Sequence, residues 1–145
     1  MAAILYIDND PTLGKYTNGA LGPNGAQHTV DWVRKDYWQD AVAEVLSLTS
    51  RKWDILILDI HYQTDDWGGI WIYNELVRKG VWNQPEHVIV FSQYLGSNLK
   101  TASGDRMLVM KAFLDTAGIA LDCALPNQDF DRASLLSTID DVLKR

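Results

Sequence analysis

The chain has 145 residues, the length of one ordinary domain, and we expect a single domain over residues 1–145. No apolar run approaches the roughly 18 residues of a membrane span, and the net charge of −6 disfavours direct nucleic-acid binding. The N-terminus lacks the features of a secretion signal, and a single cysteine, Cys123, permits no internal disulfide, so we expect a cytoplasmic protein.

Predicted strands and helices alternate along the whole chain. Apolar or alternating segments predict strands over 4–7, 28–33, 53–59, 87–92 and 119–125. Helical signals follow each of them: a helix from Asp10-Pro11 that glycines weaken, then 37–48, 70–77, 108–117 and 133–143. The polar stretch 96–105 is expected to be a mobile loop. Continuous apolar strands joined by helices predict a doubly wound α/β fold, a parallel sheet with helices on both faces.

Polar side chains follow three of the predicted strands. Asp8, Asn9 and Asp10 come after the first strand, Asp59 ends the third, and Ser92 ends the fourth. In doubly wound sheets the functional crevice lies outside the carboxyl ends of the strands. Carboxylates gathered there repel one another, and Mg²⁺ is the hard cation that such oxygen ligands commonly hold. A carboxylate beside the metal can attack phosphorus and form an acyl phosphate.

The pattern ILYIDND, WDILILDI, a loop ending in Gly68-Gly69, HVIVFS and ALP resembles the receiver domain of response regulators over essentially the whole chain. The resemblance implies a five-stranded sheet in the order 2-1-3-4-5 and a role in a two-component phosphorelay rather than as an enzyme. It implies that Asp59 is the phosphoacceptor and Ser92 the switch hydroxyl.

The resemblance also implies a Mg²⁺ site. Asp8 and Asn9 stand where the family keeps two acids, and His61 would offer its backbone carbonyl. Asp10 either substitutes for the second acid or caps the following helix. The implied partners are a histidine kinase or phosphotransfer protein as donor and a downstream protein or effector domain as target, and a homodimer is compatible with them.

Two departures from the family pattern favour an alternative. Asn9 replaces the second acid, and Leu125 replaces the lysine that precedes the proline of the last strand, leaving Lys100 or Lys111 as the available cations. A phosphorylation-independent pseudo-receiver, acting as a protein-binding module, fits these departures. Its contact surface would include three tryptophans around the third helix, Trp67, Trp71 and Trp82.

A third hypothesis is an enzyme. The segment DNDPTL also resembles the DxDxTL motif of haloacid-dehalogenase-like phosphatases. That resemblance implies Asp8 as nucleophile, Asp10 as acid and base, and Ser92 as the hydroxyl of the second motif. It leaves Asp59 without a role.

Overall fold

The computed structural model describes residues 1–23, 25–48, 50–62, 65–80, 82, 84–92, 105–120, 123–126 and 132–145. Strands and helices alternate in chain order: β1 (Ala3–Ile7), α1 (Pro11–Leu21), β2 (Thr29–Val33), α2 (Trp38–Ser47), β3 (Ile55–Leu58), α3 (Gly68–Lys79), β4 (His87–Ser92), α4 (Asp105–Ala117), β5 (Ala124–Pro126) and α5 (Arg132–Leu143).

The strands form one parallel sheet in the order β2-β1-β3-β4-β5, which confirms the predicted order. The strand β1 lies between two neighbours, so that Ile7 pairs with Val33 of β2 and with Leu58 of β3. Interior strands of this kind are covered on both faces, which explains their continuous apolar runs. Within the described residues, no helix is long and apolar enough to cross a membrane.

Helices cover both faces of the sheet and create two apolar cores. Leu5 and Ile7 of β1 pack on the face that α2, α3 and α4 cover. Ile4 and Tyr6 pack on the opposite face, against residues of α1 and α5. Successive side chains of a strand point to opposite faces, so one strand supplies both cores. The side chain of Asp8 follows on the same face as Tyr6.

The predicted strand 119–125 is wrong in its extent, because β5 contains only Ala124–Pro126. A left-handed Gly118, at φ +70°, follows α4. The amide of Cys123 then donates to the carbonyl of Ala120 in a tight turn, which removes it from the sheet ladder. Residues 121 and 122 lie outside the described part of the chain, as do residues 96–104 of the predicted mobile loop, whereas Asp105 begins α4.

The helix α1 is more regular than its glycines suggest. Asp10 caps it by accepting hydrogen bonds from the amides of Thr12 and Leu13, and Pro11 occupies its first turn. Gly14 lies so close to Trp32 that a Cβ there would be 2.3 Å from the indole. The missing side chain therefore allows α1 to approach β2, which offsets the low helix propensity of glycine.

The proposed tryptophan surface is only partly correct. Trp82 is buried in the core and Trp67 is half-buried against it, whereas Trp71 is 48% exposed. Trp71 stacks instead on Trp38 of α2, with ring centroids 6.3 Å apart. The exposed aromatic surface therefore joins α2 and α3.

Candidate functional site

Two carboxyl groups meet at the carboxyl ends of β1 and β3. Asp8 and Asp59 directly follow Ile7 and Leu58, which are paired in the sheet, and the amide of Asp59 donates to the carbonyl of Ile7 at 2.9 Å. Asp8 is fully buried and Asp59 is 5% exposed. Their carboxyl groups are close enough for the charge of Asp8 to raise the pKa of Asp59. The structure thus brings together the two acids that the sequence predicted to meet.

The surroundings of Asp8 satisfy both of its oxygens. The Tyr6 hydroxyl donates to Oδ2 at 2.5 Å, and the Asp10 amide donates to Oδ1 at 2.9 Å. Asp59 accepts hydrogen bonds from the amides of the two residues that follow it, Ile60 at 2.9 Å and His61. Each carboxyl is therefore fixed in orientation by groups on its own strand end.

Burial and mutual repulsion raise the pKa of both acids. Burial raises the pKa of Asp8 to about 6, although the hydrogen bonds from Tyr6 and Asp10 oppose the shift. The pKa of Asp59 lies well above its ordinary value, because of burial and the neighbouring Asp8 charge. Both carboxyl groups therefore hold a proton more readily than an exposed acid does.

Cations do not neutralise this pair within the described part of the chain. None of the ion pairs there involves Asp8 or Asp59. Leu125 lies in β5 beside Phe91 and packs on the core between the sheet, α1 and α5. Lys111 is exposed on α4, and Lys100 lies outside the described residues. The pair therefore depends on a shared proton or a bound cation to limit its repulsion.

The other predicted site residues lie at the same edge of the sheet but have different surroundings. Asn9 is half-buried in the loop between β1 and α1, while Asp10 uses Oδ1 to cap α1. The His61 imidazole lies 3.6 Å from the Asp66 carboxylate. Ser92 is fully buried at the end of β4, two residues beyond the Leu58–Val90 pair. Metal binding by Asn9, Asp10 or His61 stays a prediction.

The carboxylate pair fits a hard divalent cation. Among the described residues, no three His, Cys, Asp or Glu side chains are grouped to hold an ion. Mg²⁺, however, is commonly bound by one or two carboxylates and completed by neutral oxygens. Two adjacent buried carboxyls, with no paired cation among the described residues, match that donor set. We therefore regard Asp8 and Asp59 as the anionic part of a candidate Mg²⁺ site.

Sequence reasoning missed three residues that shape the site. Tyr6 is hidden in an apolar run, although its spacing of two from Asp8 on a strand puts both side chains on one face. Tyr62 is fully buried close after Asp59. Gly69 donates its amide to the carbonyl of Ile60, and a Cβ there would lie 2.0 Å from the carbonyl oxygen of Asp59. Only contacts between elements give these residues their importance.

Neither a protein-family model nor a curated protein sequence matches this chain. Solved structures do match it. The chemotaxis protein CheY4 of Vibrio cholerae has a TM-score of 0.66 at 14% identity, covering 98% of each chain. A response-regulator receiver domain from Methylobacillus flagellatus has a TM-score of 0.60 at 14% identity, also covering 98% of each chain.

A LuxR-family two-component response regulator from Aurantimonas has a TM-score of 0.63 at 15% identity, covering 99% of this chain and 86% of its own. The five-stranded parallel order found here matches the CheY-like receiver fold. Sheet order, flanking helices and structural matches agree, and the chain has the fold of a CheY-like response-regulator receiver domain.

Proposed function

We propose that this domain is a two-component receiver that accepts a phosphoryl group on Asp59 with the help of Mg²⁺. The observation that carries the proposal is the buried pair of Asp8 and Asp59 at adjacent strand ends, with Ser92 buried at the end of the next strand. The receiver fold supports a place in two-component signalling. A cytoplasmic histidine kinase or phosphotransfer protein would be the donor.

In this mechanism Asp59 is the nucleophile. With Asp59 ionised, one of its oxygens forms the new bond to phosphorus as the bond from phosphorus to the donor breaks, and the departing donor group takes the electron pair of that bond. The amides of Ile60 and His61 hold the attacking carboxylate in a fixed orientation. Mg²⁺, when bound, would offset the negative charge of the carboxylates and phosphoryl oxygens, with Asp8 and Asp59 as its anionic ligands.

Ser92 would transmit the change to a surface. In this mechanism its hydroxyl would donate to a phosphoryl oxygen once the phosphoryl group is attached at the neighbouring strand end. Movement of Ser92 toward that oxygen would repack the side of the domain formed by α4, β5 and α5. A downstream protein, an effector domain or a second copy of this chain would read the altered surface.

The second candidate function is a pseudo-receiver that binds protein partners without phosphorylation. The absence of a cation paired with Asp8 or Asp59 among the described residues favours it, together with Leu125 in β5. The exposed Trp71, stacked on the half-buried Trp38, offers a contact surface that needs no phosphoryl signal.

The phosphatase hypothesis receives less support. It requires Asp8 as nucleophile, the role that the proposed function gives to Asp59. It also requires Asp10 as acid and base, yet Asp10 caps α1. Asp59, which it leaves without a role, is the buried partner of Asp8.

The direct test is incubation of the protein with Mg²⁺ and acetyl phosphate, followed by intact mass measurement. We expect one phosphate-sized adduct, absent in Asp59→Ala and retained in Asp66→Asn, an exposed acid of the same loop. An adduct that persists in Asp59→Ala would place the acceptor elsewhere. No adduct, together with no Mg²⁺-induced rise in melting temperature, would overturn phosphotransfer and leave the pseudo-receiver.

A further inference from the structure

Tyr6 has an unusual environment for a phenol. Its side chain is fully buried in β1 among aliphatic residues such as Ile4 and Leu21, where phenylalanine would fill nearly the same volume. Its hydroxyl donates to Oδ2 of Asp8 at 2.5 Å. A hydrogen bond to an ionised acceptor is roughly twice as strong as one between neutral groups. The hydroxyl is therefore directed at the predicted metal ligand rather than at the core.

Trp32 of β2 fixes both Tyr6 and Asp8. Its indole stacks on the Tyr6 ring, with centroids 6.3 Å apart and an interplanar angle of 22°. The indole N–H also donates to the backbone carbonyl of Asp8 at 3.1 Å. Gly14 of α1 also lies against the Trp32 indole, since a Cβ at this position would be only 2.3 Å from it. The aromatic pair is thus held between the sheet and α1.

These contacts leave one side of the Asp8 carboxylate for the site. An ionised carboxylate offers about four lone-pair positions on two oxygens. The Tyr6 hydroxyl takes one on Oδ2, and the Asp10 amide takes one on Oδ1. The remaining positions are available to an ion bound between Asp8 and the neighbouring Asp59. Rotation of the Asp8 carboxylate would break the hydrogen bonds from the Tyr6 hydroxyl and the Asp10 amide.

We infer that Tyr6 is a positioning residue for the divalent-cation site, acting through Asp8 and supported by Trp32. The inference rests on the proposed function, because it assigns Tyr6 to the Mg²⁺ site of that function. Groups that orient a metal ligand by hydrogen bonding commonly change metal affinity by roughly 10–100-fold when removed. We therefore expect Tyr6 to contribute to the affinity for the cation as well as to the packing of the core.

Tyr73 provides a matched control. It is a second buried tyrosine, on α3, and its hydroxyl accepts a hydrogen bond from the Gln84 amide at 3.4 Å. Its ring packs edge-on against Phe113 of α4, in the core on the other face of the sheet. Tyr73→Phe and Tyr6→Phe remove the same atom from buried rings, but only Tyr6 contacts Asp8.

The experiment is a Mg²⁺ titration of the whole chain, followed by calorimetry and by the NMR signal of the Trp32 indole N–H, which reports on the Asp8 backbone. We expect Tyr6→Phe to weaken Mg²⁺ binding roughly tenfold or more and Tyr73→Phe to leave it unchanged. In an Asp8→Asn background, Tyr6→Phe should cause no further loss, because its effect passes through the Asp8 carboxylate.

The outcomes distinguish failure of the Tyr6 positioning role from failure of the proposed Mg²⁺-dependent function. Mg²⁺ binding that is equal in wild type and Tyr6→Phe would overturn the role of Tyr6 alone. An equal loss in Tyr73→Phe, or a further loss in the Asp8→Asn background, would show a general structural effect and overturn it as well. Failure of the wild-type chain to bind Mg²⁺ would overturn the Mg²⁺-dependent function together with this inference.

Discussion

The carboxyl groups of Asp8 and Asp59 lie beside each other at the ends of two paired strands, with both side chains buried. This contact costs folding free energy whenever both groups are ionised, because burial and like charge both disfavour the anions. Protonation or a bound cation relieves that cost. The free energy of unfolding should therefore depend on whether Asp8 and Asp59 are protonated, ionised or bound to a cation.

The first prediction concerns pH. Because the folded pKa of Asp8 is raised from 3.8 to about 6, its contribution to stability is complete below about pH 4 and is lost as the pH rises through 6. A shift of that size corresponds to about 3 kcal/mol, and Asp59 acts in the same direction. Urea unfolding between about pH 4 and pH 8 should show this fall. Stability attributable to the pair that instead rises over this range would contradict the prediction.

The second prediction uses Asp59→Asn to isolate the pair. At about pH 7 the variant should be more stable than wild type by roughly 1–3 kcal/mol, because a neutral amide can still donate to Asp8 and accept from the Ile60 amide. Its stability should also fall less steeply with pH. Asp66→Asn, on a 65% exposed side chain, should change stability by less than about 0.5 kcal/mol. A destabilised Asp59→Asn would mean that the pair is not repulsive.

The third prediction concerns Tyr62, whose hydroxyl is buried and has no hydrogen-bond partner in the described part of the chain. Burial raises the pKa of this phenol, and the charges of Asp59 and Asp8 raise it further. Tyr62→Phe should stabilise the domain by about 1 kcal/mol, because it removes an unsatisfied buried group.

Chemical denaturation of Tyr62→Phe beside Tyr73→Phe provides the comparison. The Tyr73 hydroxyl has Gln84 as its partner, so its removal should destabilise the domain slightly. Equal losses of stability in both variants would show that the Tyr62 hydroxyl has a partner after all.

The sequence predicted the sheet well where burial alone determines the pattern. The run before Asp8 and the run before Asp59 lie in interior strands covered on both faces, so their continuous apolar character predicted the strands and a parallel sheet with its site at the strand ends. The strand order came from the resemblance to receiver domains. The edge strand β5 was harder, because the apolar run from Ile119 includes a turn at Cys123 that only backbone hydrogen bonding defines.

Side-chain contacts between different helices and strands could not be predicted from the local sequence pattern. Tyr6 stands in the apolar segment ILYI, where the local pattern indicates only a core residue. Nothing in that segment indicates that Trp32 of β2 stacks on it. Gly68-Gly69 similarly marked only the end of a loop. The reason for Gly69 is its distance from Asp59, a residue ten positions earlier, which becomes visible when α3 packs on the sheet edge.

The final prediction is that Gly69→Ala will damage both the fold and the site. A Cβ at Gly69 would lie 2.0 Å from the Asp59 carbonyl oxygen and 2.6 Å from the Ile60 Cα, and both of these neighbours are backbone atoms that cannot rotate away. Either α3 must withdraw, which breaks the 2.9 Å hydrogen bond from the Gly69 amide to Ile60, or the strand end must move. We expect a loss of about 3 kcal/mol or more in urea unfolding.

Gly80→Ala separates this steric effect from ordinary backbone strain. Gly80 ends α3 at φ +63°, with open space where a Cβ would stand, so alanine there should cost only about 1–2 kcal/mol. Because Gly80 lies at the far end of α3, its variant should keep the wild-type Mg²⁺ affinity, whereas Gly69→Ala should lose affinity as the Asp59 backbone shifts. If the two variants prove equally mild in stability and Mg²⁺ binding, α3 does not press on the Asp59 backbone, and the fixed orientation of that carboxyl must have another source.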